Sequence, residues 1–407
     1  MPLEKRSGKF IVMAKIETKS KKIENLLTRG VENIYPSPEW LKKKIKSGKK
    51  IKIYLGIDPT APTLHIGHAI ALKKLAEFQT LGHEVVLLIG SFTGMIGDPT
   101  DKAAVRKPLT RKQVLTNAKK YKQQAEIFIK FKGPNPAKIV YNHKWLDKLT
   151  LKDLAEIGML VTTQRLLERD MFQERIKKES PVYFTELIYP LLQGFDSVAM
   201  EVDGEIGGND QTFNMLMGRD LLKKMKGKEK FVLTMKLLTD PTGKKMGKSE
   251  GNMITLEDSP EEMVGKIMSW PDQFIEPGFE LCTDKTEEEI KENLKKNNPR
   301  NTKMELAKAV AEIYHGIKKT EAAAESWEKA FSRQEAPNRI EEVKINKNKN
   351  LLEAVAEIQD ISKSQAKRLL EQGGIKIDGN KEEKGERKLK EGEILKIGKK
   401  RFVKIRI

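Results

Sequence analysis

Two histidines three residues apart, His65 and His68, have a spacing that suits phosphate chemistry. They follow the apolar run 51–57 and a proline-rich turn, and they begin a segment with apolar residues at helical spacing. This order predicts a strand, a loop and a helix, with both imidazoles on the first helical turn. Backbone N–H groups and the helix dipole favour anions there, and Gly67 has no Cβ to keep a flat ligand away. The segment predicts a nucleotide-phosphate site, and a capped helix with surface histidines is the alternative.

Three polar residues farther along the chain, Tyr189, Gln193 and Asp196, have the spacing i, i+4 and i+7. This spacing places them on one face of a helix. Because the residues between and before them are largely apolar, we expect the three side chains to be buried. A buried aspartate needs a hydrogen-bond donor or an opposite charge. The pattern therefore predicts either a polar ligand pocket or a structural polar network.

The elements that would position these residues are those of a parallel α/β sheet. The strand-like runs 51–57 and 85–89 alternate with the helix that begins near His65. In such sheets, ligands bind at the carboxyl ends of the strands. We expect a Rossmann-like catalytic domain at 51–255, with a helical insertion at about 110–185.

Residues outside this domain form four further predicted segments. A basic arm with two short helices occupies 1–50, and 256–332 has a helical pattern throughout. Residues 333–349 are polar and basic with one proline, which predicts a linker. The tail, 350–407, has two helical patterns followed by alternating strands, which predicts a small α+β domain.

Composition narrows the class of protein. A chain of 407 residues allows two or three domains, and a single cysteine, Cys282, excludes a disulfide framework or a cysteine-rich zinc site. No apolar run is long enough to span a membrane, and residues 1–15 lack the features of a secretory signal, so we expect a cytoplasmic protein. The formal charge of +19 favours the binding of polyanions such as RNA. A lysine-rich composition can, however, also be common to all proteins encoded by a genome.

A second phosphate-binding candidate is the glycine-flanked segment 243–252, which contains Lys245, Lys248 and Ser249. Alone, this segment is ordinary charged surface. In this order, however, the His-Ile-Gly-His and Lys-Met-Gly-Lys-Ser motifs resemble the paired signature of class I aminoacyl-tRNA synthetases. From about residue 20 to the C-terminus, the chain is most similar to the bacterial tyrosyl-tRNA synthetases. The other matching segments are 54–60, 94–99, 189–196 and 206–211.

The resemblance implies a two-step reaction, in which ATP activates tyrosine to tyrosyl-adenylate and tyrosine then passes to the 3′ end of tRNA(Tyr). It implies that Asp196 accepts a hydrogen bond from the substrate phenol with help from Tyr54. It also implies that Tyr189, Gln193 and Asp98 surround the substrate ammonium group. The implied tyrosine-binding residues are Tyr54, Asp98, Tyr189, Gln193, Asp196 and Gln211.

The resemblance also implies how ATP is held. The implied ATP-binding residues are Gly56, Asp58, Gly67, Lys102, Arg106, Gly208 and Asp210. The implied catalytic residues, which act on the phosphates, are Thr60, His65, His68, Lys245, Lys248 and Ser249. We expect Mg²⁺ to accompany ATP and expect no metal site or tightly bound cofactor of the protein's own, because the sequence shows no carboxylate cage.

Partners are implied in the same way. The tail resembles the S4 RNA-binding domain, and its implied RNA-binding residues are Lys363, Ser364, Lys367 and Arg368. Residues 381–407 add eleven Lys or Arg against five Glu, and such a basic surface suits RNA phosphates. The family further implies a homodimer formed through the insertion at about 110–185, and no membrane partner.

Two positions depart from the family pattern. Gly247 stands where serine is usual, and Asp101 stands where glycine is common, close to the implied pyrophosphate site.

Three other functions are alternatives: a tryptophan-type synthetase, a small-molecule nucleotidyltransferase and a non-catalytic RNA-binding relative. The last would be expected to lose phosphate-binding residues such as His65 and Lys248, which are present.

Overall fold

The computed structural model describes most of the chain. The described residues are 16–99, 108–239, 253–296, 298–332, 341–346, 349–378, 380–398 and 401–407. They form two compact units. The first unit comprises Met1–Asp258 and Ser269–Tyr314, and the second comprises Ser259–Met268 and His315–Ile407.

A six-stranded sheet forms the centre of the first unit. Its strands are β1 (Val31–Tyr35), β2 (Lys52–Ile57), β3 (Glu84–Ile89), β4 (Lys138–Tyr141), β5 (Gly204–Gly208) and β6 (Phe231–Met235). Their order is β1-β6-β5-β2-β3-β4, and every neighbouring pair is parallel except β1 and β6. Residues Val85–Ile89 are all buried, as expected of a central strand covered on both faces. The predicted Rossmann-like α/β class is therefore confirmed.

Helices account for much of the described chain before residue 333. Those before β5 are α1 (Ser20–Thr28), α2 (Pro38–Lys46), α3 (Ile66–Thr80), α4 (Thr93–Ile96), α5 (Arg111–Ala118), α6 (Tyr121–Ala125), α7 (His143–Leu146), α8 (Leu151–Gly158), α9 (Thr163–Leu167), α10 (Asp170–Lys177) and α11 (Phe184–Met200). Later helices are α12 (Thr212–Lys226), α13 (Pro260–Met268), α14 (Ile275–Cys282), α15 (Glu287–Lys296), α16 (Pro299–His315) and α17 (Ile317–Ser332). None of the described helices is both long and apolar enough to cross a membrane.

The second unit contains a five-stranded sheet and two helices near its C-terminus. Its elements are β7 (Glu341–Lys344), α18 (Leu351–Gln359), α19 (Lys363–Glu371), β8 (Ile375–Ile377), β9 (Asn380–Lys381), β10 (Ile394–Ile397) and β11 (Arg401–Arg406). The strand order is β7-β11-β10-β8-β9. Both helices contribute to an apolar core, for example through Leu351 and Leu370, which pack in the same cluster as Leu395 and Val403 of the sheet.

Three strands correct the segment predictions. Strand β1 lies between the two predicted N-terminal helices, and β4 lies inside the predicted helical insertion at 110–185. Strand β7 lies in the predicted linker, 333–349, and pairs in parallel with β11. All three are edge strands with few buried residues, so their sequences lack the apolar pattern of a central strand.

The predicted helical domain at 256–332 is divided in the structure. Helices α14 and α15 belong to the first unit, whereas α13 and α17 belong to the second and pack against each other there. A continuous helical pattern in sequence does not reveal which helices share a core. The other predicted domain boundaries stay predictions.

Candidate active site

Polar residues and a glycine follow the carboxyl ends of four parallel strands. Asp58 follows β2, Gly90 follows β3, Asn142 follows β4, and Asp210 follows β5. Because these strands are parallel neighbours, their ends meet at one edge of the sheet. The structure therefore gathers residues far apart in sequence at the edge where α/β sheets bind ligands.

The histidine motif begins α3. His65 is the N-cap residue of this helix, its backbone N–H donates to His68 Nδ1 at 3.2 Å, and the two ring centroids are 3.8 Å apart. A Cβ added to Gly67 would lie 3.0 Å from Cε1 of His65, so glycine here leaves room for the imidazole. The predicted helix start with both imidazoles at its first turn is confirmed.

Residues 254–256 run beside this motif. The backbone N–H of Ile66 donates to the carbonyl of Ile254 at 3.0 Å, and that of Leu256 donates to the carbonyl of Leu64 at 2.9 Å. The chain that follows the lysine-rich segment is thus joined to the helix start. Lys102, Arg106, Lys245, Lys248 and Ser249, together with Asp101 and Gly247, lie outside the described residues.

Asp196 is a buried carboxylate on α11, with 2% of its surface exposed. Its Oδ1 accepts from the indole Nε1 of Trp145 at 2.7 Å, and its Oδ2 accepts from Nδ2 of Asn142 at 3.2 Å. Burial raises the pKa of Asp196 well above its usual range, and these two donors oppose the rise. A buried aspartate with a donor on each oxygen is held in one orientation.

Asn142 and Trp145 were not predicted from the sequence. They follow β4, the edge strand whose apolar pattern is weak. Asn142 is fully buried, and its Oδ1 accepts from the backbone N–H of Phe92 at 2.8 Å. The one sequence feature that could have revealed Asn142 is its position directly after the run 138–141, at the carboxyl end of a possible strand.

Asp58 connects Tyr189 with this network. Its Oδ2 accepts from the Tyr189 hydroxyl at 2.9 Å, and its Oδ1 accepts from Thr93 Oγ1 at 2.6 Å. Thr93 Oγ1 in turn accepts from Asn142 at 3.0 Å. A Cβ added to Gly90 would lie 1.7 Å from Asp58 Oδ1, so only glycine fits beside this carboxylate. Burial and the nearby Asp58 raise the pKa of Tyr189 well above its usual range.

Asp98 and Gln211 form the opposite part of the site. Gln211 donates through Nε2 to Asp98 Oδ2 at 2.6 Å. The 3-10 turn Asn209–Gln211 contains both Asp210 and Gln211, and a Cβ on Gly208 would lie 2.5 Å from Asp210 Oδ1. Glycine at 208 thus lets the Asp210 carboxylate fold back over the end of β5.

Arg169 is a further residue that the sequence pattern did not reveal. Its guanidinium lies 4.9 Å from the ring centroid of Phe213 and 5.4 Å from that of Phe172. Burial lowers its pKa, and the negative charge of Asp98 opposes this. A largely buried cation therefore accompanies the acidic groups of the site.

Tyr54 and Gln193 form hydrogen bonds with two residues that the sequence pattern did not single out. Tyr54 is fully buried, and its hydroxyl lies 3.0 Å from Ser197 Oγ. Gln193 donates through Nε2 to Glu205 Oε1 at 3.3 Å. Burial, followed by the charges of Glu205 and Asp196, raises the pKa of Tyr54 well above its usual range.

Thr60 and Gly56 complete the predicted site in this unit. The backbone N–H of Thr60 donates to the carbonyl of Asp58 at 2.8 Å, which fixes the turn after β2. The nearest atoms to a Cβ added at Gly56 would be 3.8 Å away, an ordinary contact. The protein alone therefore gives no steric reason for glycine at this exposed position.

In the second unit, the predicted RNA-binding residues lie on α19. Ala366 and Leu370 face the core, whereas Lys363, Ser364, Lys367 and Arg368 are exposed. Lys363 pairs with Glu353 at 2.8 Å. Among the described residues of either unit, no group of three or more acidic, histidine or cysteine side chains could hold a metal ion.

Comparisons with known proteins identify the family of this chain. Residues 46–332 match the family model of the class I tRNA synthetases for tryptophan and tyrosine. The chain is 42% identical over 395 residues to a tyrosine–tRNA ligase of Thermotoga maritima, covering 93% of this chain and 96% of that protein. It is also 42% identical over 387 residues to the tyrosine–tRNA ligase of Aquifex aeolicus, covering 93% and 97%.

Solved structures agree at the level of the fold. A truncated mitochondrial tyrosyl-tRNA synthetase of Aspergillus nidulans superposes with a TM-score of 0.65 at 22% identity, covering 77% of this chain and 95% of that one. The Coccidioides posadasii counterpart gives 0.62 at 26% identity, covering 75% and 92%. With a matching family model and relatives aligned over nearly their whole length, this chain belongs to the tyrosine–tRNA ligases of the class I tRNA synthetase family.

Proposed function

We propose that this protein activates tyrosine with ATP and transfers it to the 3′ end of tRNA(Tyr). The tyrosine carboxylate attacks the α-phosphorus of ATP, pyrophosphate leaves, and the terminal ribose hydroxyl of the tRNA then displaces AMP from the adenylate. The observation that carries this proposal is the convergence of Asp58, Asp98, Tyr189 and Asp196 at the carboxyl edge of the sheet. Acidic acceptors at this edge suit a substrate that has both an ammonium and a hydroxyl group.

Recognition of the phenol is assigned to Asp196. A carboxylate has about four acceptor positions, and Trp145 and Asn142 occupy one on each oxygen. Capacity remains for the hydroxyl of a substrate. Because the two donors fix the carboxylate before the substrate arrives, little ordering is needed on binding.

Recognition of the ammonium is assigned to Tyr189, Gln193 and Asp98. The Tyr189 hydroxyl donates its proton to Asp58, so its oxygen lone pairs are directed to accept from another donor. Asp98 is oriented by the hydrogen bond that its Oδ2 accepts from Gln211 Nε2. The proposed pocket therefore has acceptors for all three ammonium protons.

ATP is proposed to lie along the ends of β2 and β5. Gly56 and Gly208 would allow close approach of adenosine, and Asp210 would hold the ribose. A Cβ at Gly56 would come no closer than 3.8 Å to the neighbouring protein atoms, and this supports a ligand as the reason for this glycine. Thr60, His65 and His68 would contact the phosphates, with Gly67 between the imidazoles.

Catalysis is proposed to come from positioning and from charge. The carboxylate of tyrosine is already a nucleophile, so the enzyme needs in-line geometry and stabilisation of the departing pyrophosphate. We assign that stabilisation to Lys102, Arg106, Lys245, Lys248 and Ser249, and Mg²⁺ would arrive with ATP. Contacts that form only as charge moves to the leaving group lower the barrier without tightening substrate binding.

A homodimer is also part of the proposal. Large apolar side chains are exposed within residues 151–184, where the surface of a monomer would normally be polar. They are Leu151, Met159, Ile176, Tyr183 and Phe184. We expect sedimentation equilibrium to give twice the mass of the chain, and a monomer at micromolar concentration would contradict this part.

Binding of tRNA is assigned in part to the exposed face of α19. Lys363, Ser364, Lys367 and Arg368 line this face, and they suit phosphates of a structured RNA better than base edges. A cytoplasmic location, where tRNA and ATP are available, completes the proposal.

The testing experiment is amino-acid-dependent exchange of pyrophosphate into ATP without tRNA, using tyrosine, phenylalanine and tryptophan. Exchange with tyrosine alone is expected. Exchange with tryptophan would overturn the specificity but keep the chemistry. No exchange with any of the three would favour a non-catalytic RNA-binding relative.

A further inference from the structure

A fully buried ion pair lies behind the proposed tyrosine pocket. Lys230, directly before β6, donates through Nζ to Glu205 Oε2 on the neighbouring strand β5. The side chains are 0% and 3% exposed, respectively. Glu205 contacts Gln193 of the pocket, and Lys230 contacts Ser197, the neighbour of Tyr54.

Burying two charges in this position is costly. Desolvation of an ion pair commonly cancels its Coulomb attraction, so apolar residues of the same volume would stabilise the fold equally well. Burial lowers the pKa of Lys230, and the adjacent Glu205 opposes this. Stability alone therefore gives no reason for the pair, and its hydrogen bonds to other side chains must be considered.

Glu205 determines the orientation of the Gln193 amide. A carboxylate accepts hydrogen bonds and donates none, so Glu205 Oε1 takes an N–H of Gln193, at 3.3 Å. The amide oxygen of Gln193 lies on the other side of the group and remains an acceptor. An ammonium substrate needs an acceptor there, whereas a flipped amide would present two donors to a cation.

Lys230 determines the direction of the hydrogen bonds that reach Tyr54. The ammonium can only donate, and its Nζ lies 2.8 Å from Ser197 Oγ. Ser197 thus uses one of its two lone pairs for Lys230, which favours donation of its own proton to the Tyr54 oxygen, 3.0 Å away. A hydrogen bond with Glu205 also raises the pKa of Tyr54, so the phenolic proton is directed to Glu205 until the oxygen of a substrate phenol replaces that acceptor.

We propose that the Lys230–Glu205 pair is a positioning device that sets the hydrogen-bond polarity at both ends of the tyrosine pocket. Through Gln193 it presents an acceptor to the ammonium, and through Ser197 and Tyr54 it presents a donor to the phenol oxygen. Neither charged residue touches the substrate. This inference rests on the proposed function, because it assumes tyrosine as the ligand.

The test replaces both charges with apolar side chains of similar volume, in the variant Lys230→Met/Glu205→Met. Removing the pair together avoids an unpaired buried charge, so the thermal midpoint should stay near that of the wild type. Should this variant not fold, Lys230→Met/Glu205→Gln keeps the shape of the carboxylate and is used instead. The matched control is Lys74→Met/Glu77→Met, which removes another lysine–glutamate pair, on α3 outside the pocket.

Binding is measured by calorimetry with the full-length protein and three ligands. Tyrosine has both groups, 3-(4-hydroxyphenyl)propionate lacks the ammonium, and phenylalanine lacks the hydroxyl. We expect the variant to weaken tyrosine binding by about tenfold to a hundredfold, as for loss of hydrogen bonds to charged groups. The other two ligands should weaken less, so the preference for tyrosine over each of them falls.

Three results would overturn the inference. The first is a tyrosine affinity of the double variant equal to that of the wild type. The second is an equal loss of affinity for all three ligands. The third is a fall in the preference for tyrosine over only one of the two other ligands. A control variant with the same ligand-specific losses would also overturn it. If the wild type does not bind tyrosine, the proposed function itself fails, and this outcome is separate because no variant is needed to see it.

Discussion

His83 should make the stability of the first unit depend on pH in a way that one substitution can remove. The side chain is fully buried beside Phe78, and neither ring nitrogen has a hydrogen-bond partner among the described residues. Burial, with a smaller contribution from Lys50, lowers its pKa to about 4 from 6.5, against the opposing charge of Asp203. The unfolded chain therefore takes up a proton on His83 at a higher pH than the folded chain does.

The sign and size of the effect follow from this difference. Above pH 6.5, His83 is neutral in both states and has no linked effect. As the pH falls from about 6.5 towards 4, the unfolded state is protonated first, and stability is lost. At pH 4.5, the linkage relation gives a loss of about 2.5 kcal/mol for a pKa change from 6.5 to about 4.

The substitution His83→Leu removes the titrating group and keeps an apolar side chain in the site. Urea-induced unfolding, followed by tryptophan fluorescence, gives the stability difference between variant and wild type at pH 7.5 and at pH 4.5. Carboxylates titrate equally in both proteins, so their effects cancel in that difference. We expect the difference to shift by about 2.5 kcal/mol in favour of the variant at the lower pH. A shift below about 0.5 kcal/mol would refute the reasoning, because His83 would then be protonated in the folded state or reached by water.

Four further predictions concern the site and the tail. Asp196→Ala should abolish the preference for tyrosine over phenylalanine in pyrophosphate exchange, and intact discrimination would place the hydroxyl partner elsewhere. Gly90→Ala should displace the Asp58 carboxylate, since its Cβ would lie 1.7 Å from Oδ1, and lower kcat/KM for tyrosine by at least about tenfold; unchanged kinetics would show that the carboxylate moves freely. Lys248→Ala should slow adenylate formation in single-turnover experiments and leave the tyrosine Kd nearly unchanged, and a wild-type rate would remove this lysine from the proposed pyrophosphate site. Lys367→Glu/Arg368→Glu should weaken tRNA(Tyr) binding and flatten its salt dependence while pyrophosphate exchange continues at the wild-type rate; an unchanged tRNA affinity would remove α19 from the RNA-binding surface.

Sequence patterns predicted those parts of the site that lie in long, regular segments. The helix with Tyr189, Gln193 and Asp196 could be identified because three polar residues interrupt an otherwise apolar 3.6-residue pattern. The strand before Asp58 could be identified because it is central and largely apolar. Both features are local, so a single sequence suffices to reveal them.

The parts that were missed depend on contacts distant in sequence. Asn142 and Trp145 became visible only when β4 was paired with β3, because an edge strand buries too little to show a pattern. The pair of Lys230 and Glu205 is also undetectable in sequence, since lysine and glutamate are common throughout the chain. A charged residue of this protein therefore indicates a special role only when its burial is known.

Strand β1 has a consequence for the protein during its synthesis. Asn33 pairs with Thr234, so the partner of this strand is made 201 residues later. At about 5–20 residues per second, the ribosome needs roughly 10–40 s to supply it. During that delay β1 is an unpaired strand in a nascent chain, exposed to other nascent chains. Glu32 and Asn33 interrupt its apolar residues, and this polarity should limit self-association until β6 emerges.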